Sequence, residues 1–438
     1  MEYFKKAPPQ PTAVSQEIRD TVSQIISDVE REGLVAVRRY SEKFDGSAPA
    51  SFRLSDSDIS GLLGEVEENV ARAIDFSISQ VKHFAELQRR TLTDFEEETL
   101  PGVTIGQKQI PVNAVGAYIP GGRYPILASA VMTVGVPKVA GVRRIVACAP
   151  IQRRTGKVNP LQLYGMVKSG ADEIYAIGGA QAMAAMAFGL DGSPPLDAVD
   201  MIVGAGNAYV AEAKRQLFGV VGIDLLAGPT EILILADETA DPEFVAADLL
   251  AQAEHGTNSQ SVLITTSRSL AEEVTGQIER QLASLPTADA AGQSWRDYGE
   301  IILVEDDEEM VKVSDQVASE HLEVMTRDPE WYLQRLTNYG SLFLGHNATV
   351  AYGDKGIGTN HVLPTSRAAR YTGGLWVGKF IKTVTWQRVS DQANKTVAPP
   401  FVLMADTEGM IGHADSMRLR LTGQLSESRE RAKEVSLK

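Results

Sequence analysis

Ala114-Val-Gly-Ala-Tyr118, Arg144-Ile-Val-Ala-Cys148, Glu173-Ile-Tyr-Ala-Ile177 and Val199-Asp-Met-Ile-Val203 are short apolar runs separated by helical stretches such as 180–188 and 208–218. Strands that alternate with helices in this way are the signature of a parallel sheet covered by helices. The texture returns in Ile232-Leu-Ile-Leu235, Ser261-Val-Leu-Ile-Thr265, Glu300-Ile-Ile-Leu-Val304, Leu322-Glu-Val-Met325 and Ser341-Leu-Phe-Leu344. The predicted fold is therefore α/β, with two similar doubly wound domains over 110–231 and 232–375. Residues 1–109 read as a helical N-terminal region packing partly on the second domain, because 14–40 and 59–87 space apolar residues three and four apart among many charges. Past 375 the alternation fades, and Thr396-Val-Ala-Pro-Pro400 is expected to break the chain before a last helix carrying His413. A tail over 376–438 has too little apolar surface to fold alone and should dock elsewhere.

Composition bounds the function. The chain has 438 residues, 43% of them hydrophobic and 23% charged, as in globular proteins of two or three domains. A formal charge of −15 argues against a nucleic-acid partner, since phosphate backbones are bound by clustered Lys and Arg. The lone Cys148 lies in an apolar run, which excludes an intramolecular disulfide or a cysteine-rich zinc site. The first residues hold no apolar stretch of signal-peptide length, and no window approaches the ~20 apolar residues of a membrane span. A cytoplasmic protein is the expectation.

Glycine clusters follow several strands of the first block: Pro120-Gly-Gly122, Gly178-Gly-Ala-Gln181 and Gly204-Ala-Gly-Asn207. In doubly wound, Rossmann-like sheets ligands bind at the carboxyl ends of strands, where glycine lets the backbone approach a phosphate. The last cluster has two of the three glycines of the dinucleotide fingerprint, with Tyr209 in the third place. Ordinary tight turns are the alternative.

Four of the six histidines lie beside residues that could hold or work with a metal. Gln252 and His255 are three apart near the end of a helix from Pro242, Glu320 adjoins His321, Asp354 precedes His361 in a glycine-rich stretch, and Glu408 precedes His413. Imidazole, carboxylate and amide oxygens are competent zinc donors, although Gln is uncommon. Segment by segment, a polar helix end or a surface carboxylate explains each equally well.

In order, however, Tyr118-Ile-Pro-Gly-Gly122, Gly178-Gly-Ala-Gln-Ala182, Gly206-Asn207, Glu212-Ala-Lys-Arg-Gln216, Ala227-Gly-Pro229, Gln252-Ala-Glu-His-Gly256, Glu320-His-Leu322 and Gly358-Thr-Asn-His-Val-Leu-Pro-Thr365 resemble the histidinol dehydrogenase family over 112–413. The resemblance implies a zinc-dependent, NAD-linked enzyme that oxidises a primary alcohol to a carboxylate through a bound aldehyde, using two NAD per turnover. It also implies a homodimer whose subunits exchange their C-terminal tails. Zinc, one per subunit, would fall on Gln252, His255, Asp354 and His413. Catalytic proton handling falls on Glu320 and His321, cofactor contacts on Tyr118, Gln181 and Asn207, and substrate contacts on Thr230, His361 and Glu408 together with the metal-site residues and His321. His321 would take the alcohol proton, and Glu320 would activate the water that adds to the aldehyde.

Departures from the family pattern bear on the substrate. The turn Gly204-Ala-Gly-Asn207 replaces Gly-Pro-Gly-Asn, Thr230 replaces a serine, and Arg367, Trp376 and Lys379 replace small or acidic residues. Added positive charge suits an anionic alcohol, with Arg367, or Lys379 close behind it, the expected contact and solvated surface charge the alternative, and the pattern resembles a branch that converts 2,3-dihydroxypropane-1-sulfonate to 3-sulfolactate. L-histidinol oxidation to L-histidine is the alternative, favoured by Glu408.

Overall fold

The structure, a computed structural model, describes residues 1–8, 15–121 and 124–422. Gly122 of the first glycine cluster and residues 423–438 of the expected tail lie outside the described residues. The chain forms two compact units: one holds Met1–Arg89 and Pro111–Phe380, the other residues 90–110 and those from Ile381 onward.

The first unit opens with β1 (Glu2–Lys5) and four helices, α1 (Gln16–Glu32), α2 (Leu34–Asp45), α3 (Asp56–Leu63) and α4 (Glu68–Arg90). Gly33, at φ +53°, divides the helix expected over 14–40 into α1 and α2. Ser15 starts α1 by accepting the Ile18 N–H at 3.3 Å. The segment expected to be wholly helical also contains the hairpin β2 (Phe95–Leu100) and β3 (Val103–Pro111), most of which belongs to the second unit. Every residue of β2 is exposed, so Phe95-Glu-Glu-Glu-Thr-Leu100 carries no half-buried alternation that sequence could reveal.

Five parallel strands follow: β4 (Ala114–Tyr118), β5 (Arg144–Cys148), β6 (Glu173–Tyr175), β7 (Met201–Val203) and β8 (Gly222–Ile223), in the order β6-β5-β4-β7-β8. All five residues of β4 are buried, which a strand covered on both faces requires. The connecting helices are α5 (Leu127–Ala140), α6 (Pro160–Ser169), α7 (Gly179–Phe188) and α8 (Ala208–Leu217). One core joins this sheet to α1, α2, α7 and α8, while α5 packs on β4 and β5 outside that core.

The second sheet contains β9 (Glu231–Ala236), β10 (Gln260–Thr265), β11 (Gly299–Leu303), β12 (His321–Met325) and β13 (Ser341–Leu344), in the order β1-β11-β10-β9-β12-β13, with only β1 antiparallel. Ile232 and Ile234 face a core shared with α9 (Pro242–Ala253), α10 (Arg268–Leu282) and α11 (Ala288–Tyr298). Leu233 and Leu235 face the opposite core, with α12 (Asp307–Val317) and α13 (Pro329–Leu333). The continuous apolar runs thus arise because both faces are covered. After β13 comes α14 (Val350–Lys355), so Asp354 stands on a short helix where a loop was expected.

In the second unit β14 (Ile381–Val389) joins the hairpin in the order β14-β3-β2, and Gly106 allows the Trp386 ring to lie where a Cβ would come within 2.4 Å. Next, α15 (Asp391–Thr407) runs through Pro399 and Pro400 without the expected break and packs on α16 (Ile411–Thr422), which carries His413.

Candidate active site

The amino ends of β9 and β12, neighbouring parallel strands, bring Thr230, Glu320 and His321 together. Glu320 is 5% exposed, and its Oε2 accepts from the Thr230 hydroxyl at 2.6 Å and from the Glu231 N–H at 2.9 Å. Gln252, on the last turn of α9, donates its amide to the same Thr230 oxygen. Burial pushes the Glu320 carboxyl well above the usual carboxylate range, against the two hydrogen bonds it accepts.

His321 has its Nδ1 2.9 Å from the Glu231 carbonyl oxygen. A carbonyl only accepts, so Nδ1 carries the proton and Nε2 carries the lone pair. That Nε2 is buried and has no hydrogen-bond partner among the described residues, with Asp354 Oδ1 3.8 Å away. Burial also holds the imidazole below its ordinary pKa, in the neutral form that accepts a proton.

Asp354 Oδ2 lies 3.5 Å from His255 Nε2. Burial alone would raise this carboxyl, but the His255 hydrogen bond and the imidazoles of His361 and His321 outweigh it and hold Asp354 well below the usual range. His361 donates from Nδ1 to the Asp354 carbonyl at 3.2 Å, and its Nε2 is 2.9 Å from the Ser129 hydroxyl. Thr230, His255, Glu320, His321, Asp354 and His361 line one cavity of about 250 Å³.

The three expected cofactor residues also meet. Tyr118, Gln181 and Asn207 line a cleft of about 800 Å³ at the carboxyl ends of β4 and β7, where the strand order reverses. Asn207 Oδ1 caps α8 by accepting the N–H groups of Tyr209 and Val210, each at 3.1 Å. The Tyr118 hydroxyl accepts the Gly179 N–H at 3.1 Å. Gly204 has φ +119°, and a Cβ there would come within 2.3 Å of the Tyr118 carbonyl, so this turn requires glycine. Gly121 and Asn207 line both this cleft and the catalytic cavity, which makes the two spaces adjoining.

The expected zinc site is corrected. Among the described residues no group of three or more His, Cys, Asp or Glu side chains is placed to hold a metal ion. Of the expected ligands, His255 faces Asp354 at 3.5 Å and Gln252 engages Thr230 through its amide nitrogen. His413 and Glu408 belong to the second unit, on α16 and at the end of α15, and both are exposed. The zinc-dependent reading, and zinc as a cofactor, are accordingly withdrawn.

Arg367 is exposed at a turn with φ +66°, and neither it nor Lys379, bonded to Thr372 at 3.1 Å, lines the cavities described here. Arg153 and Arg154 line the cleft of about 800 Å³, and the basic residue nearest the catalytic cavity is Lys355, which shares an adjoining cavity of about 420 Å³ with His255 and helps to lower the His361 pKa. Sequence reading passed over Lys355, Ser129 and Asp45. Asp45, in the cleft of about 800 Å³, is pushed up to about 6 by burial, against the pull of Arg153. Only the neighbouring Asp354 could have drawn attention to Lys355, and Ser129 and Asp45 carry no local signal.

Sheets wound on both faces, a glycine-lined cleft at one switch point and a buried acid–base pair beside it define a two-sheet α/β protein with the layout of a dinucleotide-dependent oxidoreductase. The chain belongs to the histidinol dehydrogenase family, whose profile matches residues 9–421. It is 52% identical over 404 residues to a histidinol dehydrogenase homolog of Shouchella clausii, covering 92% of this chain and 94% of that one. It is 50% identical over 423 residues to the sulfopropanediol 3-dehydrogenase of Ruegeria pomeroyi, covering 96% of each. The crystal structure of histidinol dehydrogenase from Elizabethkingia anophelis superposes with a TM-score of 0.88 at 33% identity, covering 95% of this chain and 97% of that one. Among the described residues no helix is long and apolar enough to cross a membrane.

Proposed function

We propose that the protein is an NAD-linked dehydrogenase acting on a small anionic alcohol of the sulfopropanediol type. The single observation that carries the reading is the lone pair of His321 Nε2, buried without a partner in a cavity that adjoins the cofactor cleft at Asn207. Held by the cleft at Tyr118, Gln181 and Asn207, NAD would supply the hydride acceptor for the carbinol carbon, and His321 Nε2 would take the hydroxyl proton, leaving a carbonyl product. Proton transfer is favoured because the imidazole enters the reaction neutral, with its ring fixed by the Glu231 carbonyl. Glu320, whose Oε2 accepts from Thr230 and the Glu231 N–H, stands beside it as a second group able to exchange a proton. Tyr118, Gln181 and Asn207 take the cofactor, and Lys355 faces the substrate's anionic group.

A homodimer goes with this reading. The exposed apolar side chains Phe401, Leu403 and Met404 on α15 suit burial against a second copy, bringing Glu408 and His413 with them. The test is reduction of NAD by purified protein with dihydroxypropanesulfonate and, separately, histidinol. Turnover of the sulfonate is expected; no NADH with any small anionic alcohol would overturn the reading.

A further inference from the structure

One layer behind the active site, two carboxyl groups meet without a cation. Glu323 on β12 is fully buried; its Oε1 accepts the Val350 N–H at 2.7 Å, and its Oε2 has no hydrogen-bond partner among the described residues. Asp248 on α9 accepts from the Thr349 hydroxyl at 2.9 Å, and its carboxyl is directed at Glu323. Across the sheet Glu323 is flanked by Ile234 of β9 and Phe343 of β13, neither of which can donate a hydrogen bond from its side chain. From α14 it meets Val350, and from α9 Asp248. The other titratable groups on these elements are His321 on β12, Glu231 on β9, Glu243 on α9, and Tyr352, Asp354 and Lys355 on α14. No cation is ion-paired to either carboxyl among the described residues.

Two adjacent buried carboxylates with an empty acceptor between them would repel and remain desolvated, at a cost that a single proton removes by turning one oxygen into a donor. Burial raises both groups; Asp248 pushes Glu323 further up, well above the usual carboxylate range, while the hydrogen bonds to Thr349 and Glu323 pull Asp248 back down. The positions of the pair matter as much as its chemistry. Asp248 is one helical turn from Gln252 on α9, Glu323 shares the strand face of His321, and Thr349 with Val350 stands one turn before Asp354 on α14.

We infer that Asp248 and Glu323 share one proton and act as positioning residues, fastening α9 and α14 to β12 so that His255, Asp354 and His321 keep their spacing. The consequence for activity rests on the proposed dehydrogenase reading; the proton itself does not. A group whose folded pKa is raised contributes stability that is fully present below its unfolded pKa and lost as pH rises through the folded value. The wild-type protein should therefore lose thermal stability toward alkaline pH more steeply than Glu323→Gln or Asp248→Asn, in which an amide N–H replaces the shared proton.

The experiment measures melting temperature from about pH 6 to 9 for the full chain and both amide variants, where a difference of ~2–4 °C in the alkaline decline is expected. Kinetics on the same proteins should show both amide variants within ~3-fold of wild-type kcat, and Glu323→Ala down by ~10-fold or more with KM for NAD unchanged. Equal alkaline decline in wild type and both amide variants would overturn the shared proton, whether or not an alcohol substrate has been found. Loss of activity in Glu323→Gln as severe as in Glu323→Ala would overturn the positioning role. If Glu323→Ala does not fold, the amide variants decide: wild-type activity with a flattened profile supports the proposal, and loss of activity in both overturns it.

Discussion

The two sheets of the first unit have the same parallel strand order but work from opposite ends. In the first, the space between β4 and β7 opens at their carboxyl ends, where Gly204 turns the chain and Tyr118 and Asn207 line a cleft. In the second, the equivalent point between β9 and β12 is closed by Asp237, which accepts from the N–H of Thr239 at 2.9 Å and of Arg327 at 2.8 Å. A side-chain acceptor there consumes the backbone donors that a ligand would otherwise use. The cavity of the second sheet sits instead at its amino ends, where Thr230, Glu320 and His321 face the loops after β4 and β7. Strand order alone therefore does not locate a site. The turn chemistry after each strand decides which end stays open.

The division of labour can be broken at the amino end of the second sheet with the largest effect. His321→Gln, which keeps size but removes the base, should lower kcat by ~10²–10⁴-fold while leaving NAD affinity unchanged in a direct binding titration. Wild-type activity should fall with acid as pH drops through the folded pKa of His321, which burial places below the ordinary value of about 6.5. Because this imidazole is harder to protonate folded than unfolded, stability too is lost as pH falls from about 6.5 toward that lower value. The acid limb of the stability profile should be shallower in His321→Gln. An unchanged kcat would remove the base from this end.

Substrate charge sharpens the comparison next. Lys355→Ala should raise KM for a sulfonated alcohol by about 10-fold, with little change in kcat, since the contact would be equal in ground and transition states. Arg367→Ala, at the exposed turn, should stay within ~2-fold. The reverse pattern in steady-state kinetics would return the anion to Arg367 and the expectation drawn from sequence.

The smallest effect belongs to the carboxyl end of the first sheet. Asn207→Ala removes the cap of α8 along with a cleft contact, and should raise KM for NAD by ~3–10-fold while kcat at saturating NAD is retained. A fall in kcat matching that of His321→Gln would show that the two ends do not divide binding from chemistry.

Local sequence determined a good deal of this protein. Apolar runs bounded by turns located the strands because these strands are buried on both faces, and ordered motifs identified the family and the residues that line both spaces. Hairpin β2–β3 escaped because its exposed residues carry no alternation, and α15 crossed Pro399 and Pro400 because the local penalty of proline did not govern it. What only the tertiary structure decided concerns partners. The bond from the Gln252 amide nitrogen to Thr230, the place of Arg367 at an exposed turn outside the cavities, and the tautomer of His321, set by the Glu231 carbonyl beside it, are legible only in three dimensions. A motif places a donor or acceptor on the chain. Which atom it faces depends on pairings between residues tens to hundreds of positions apart, set by strand order and helix packing rather than by the local pattern.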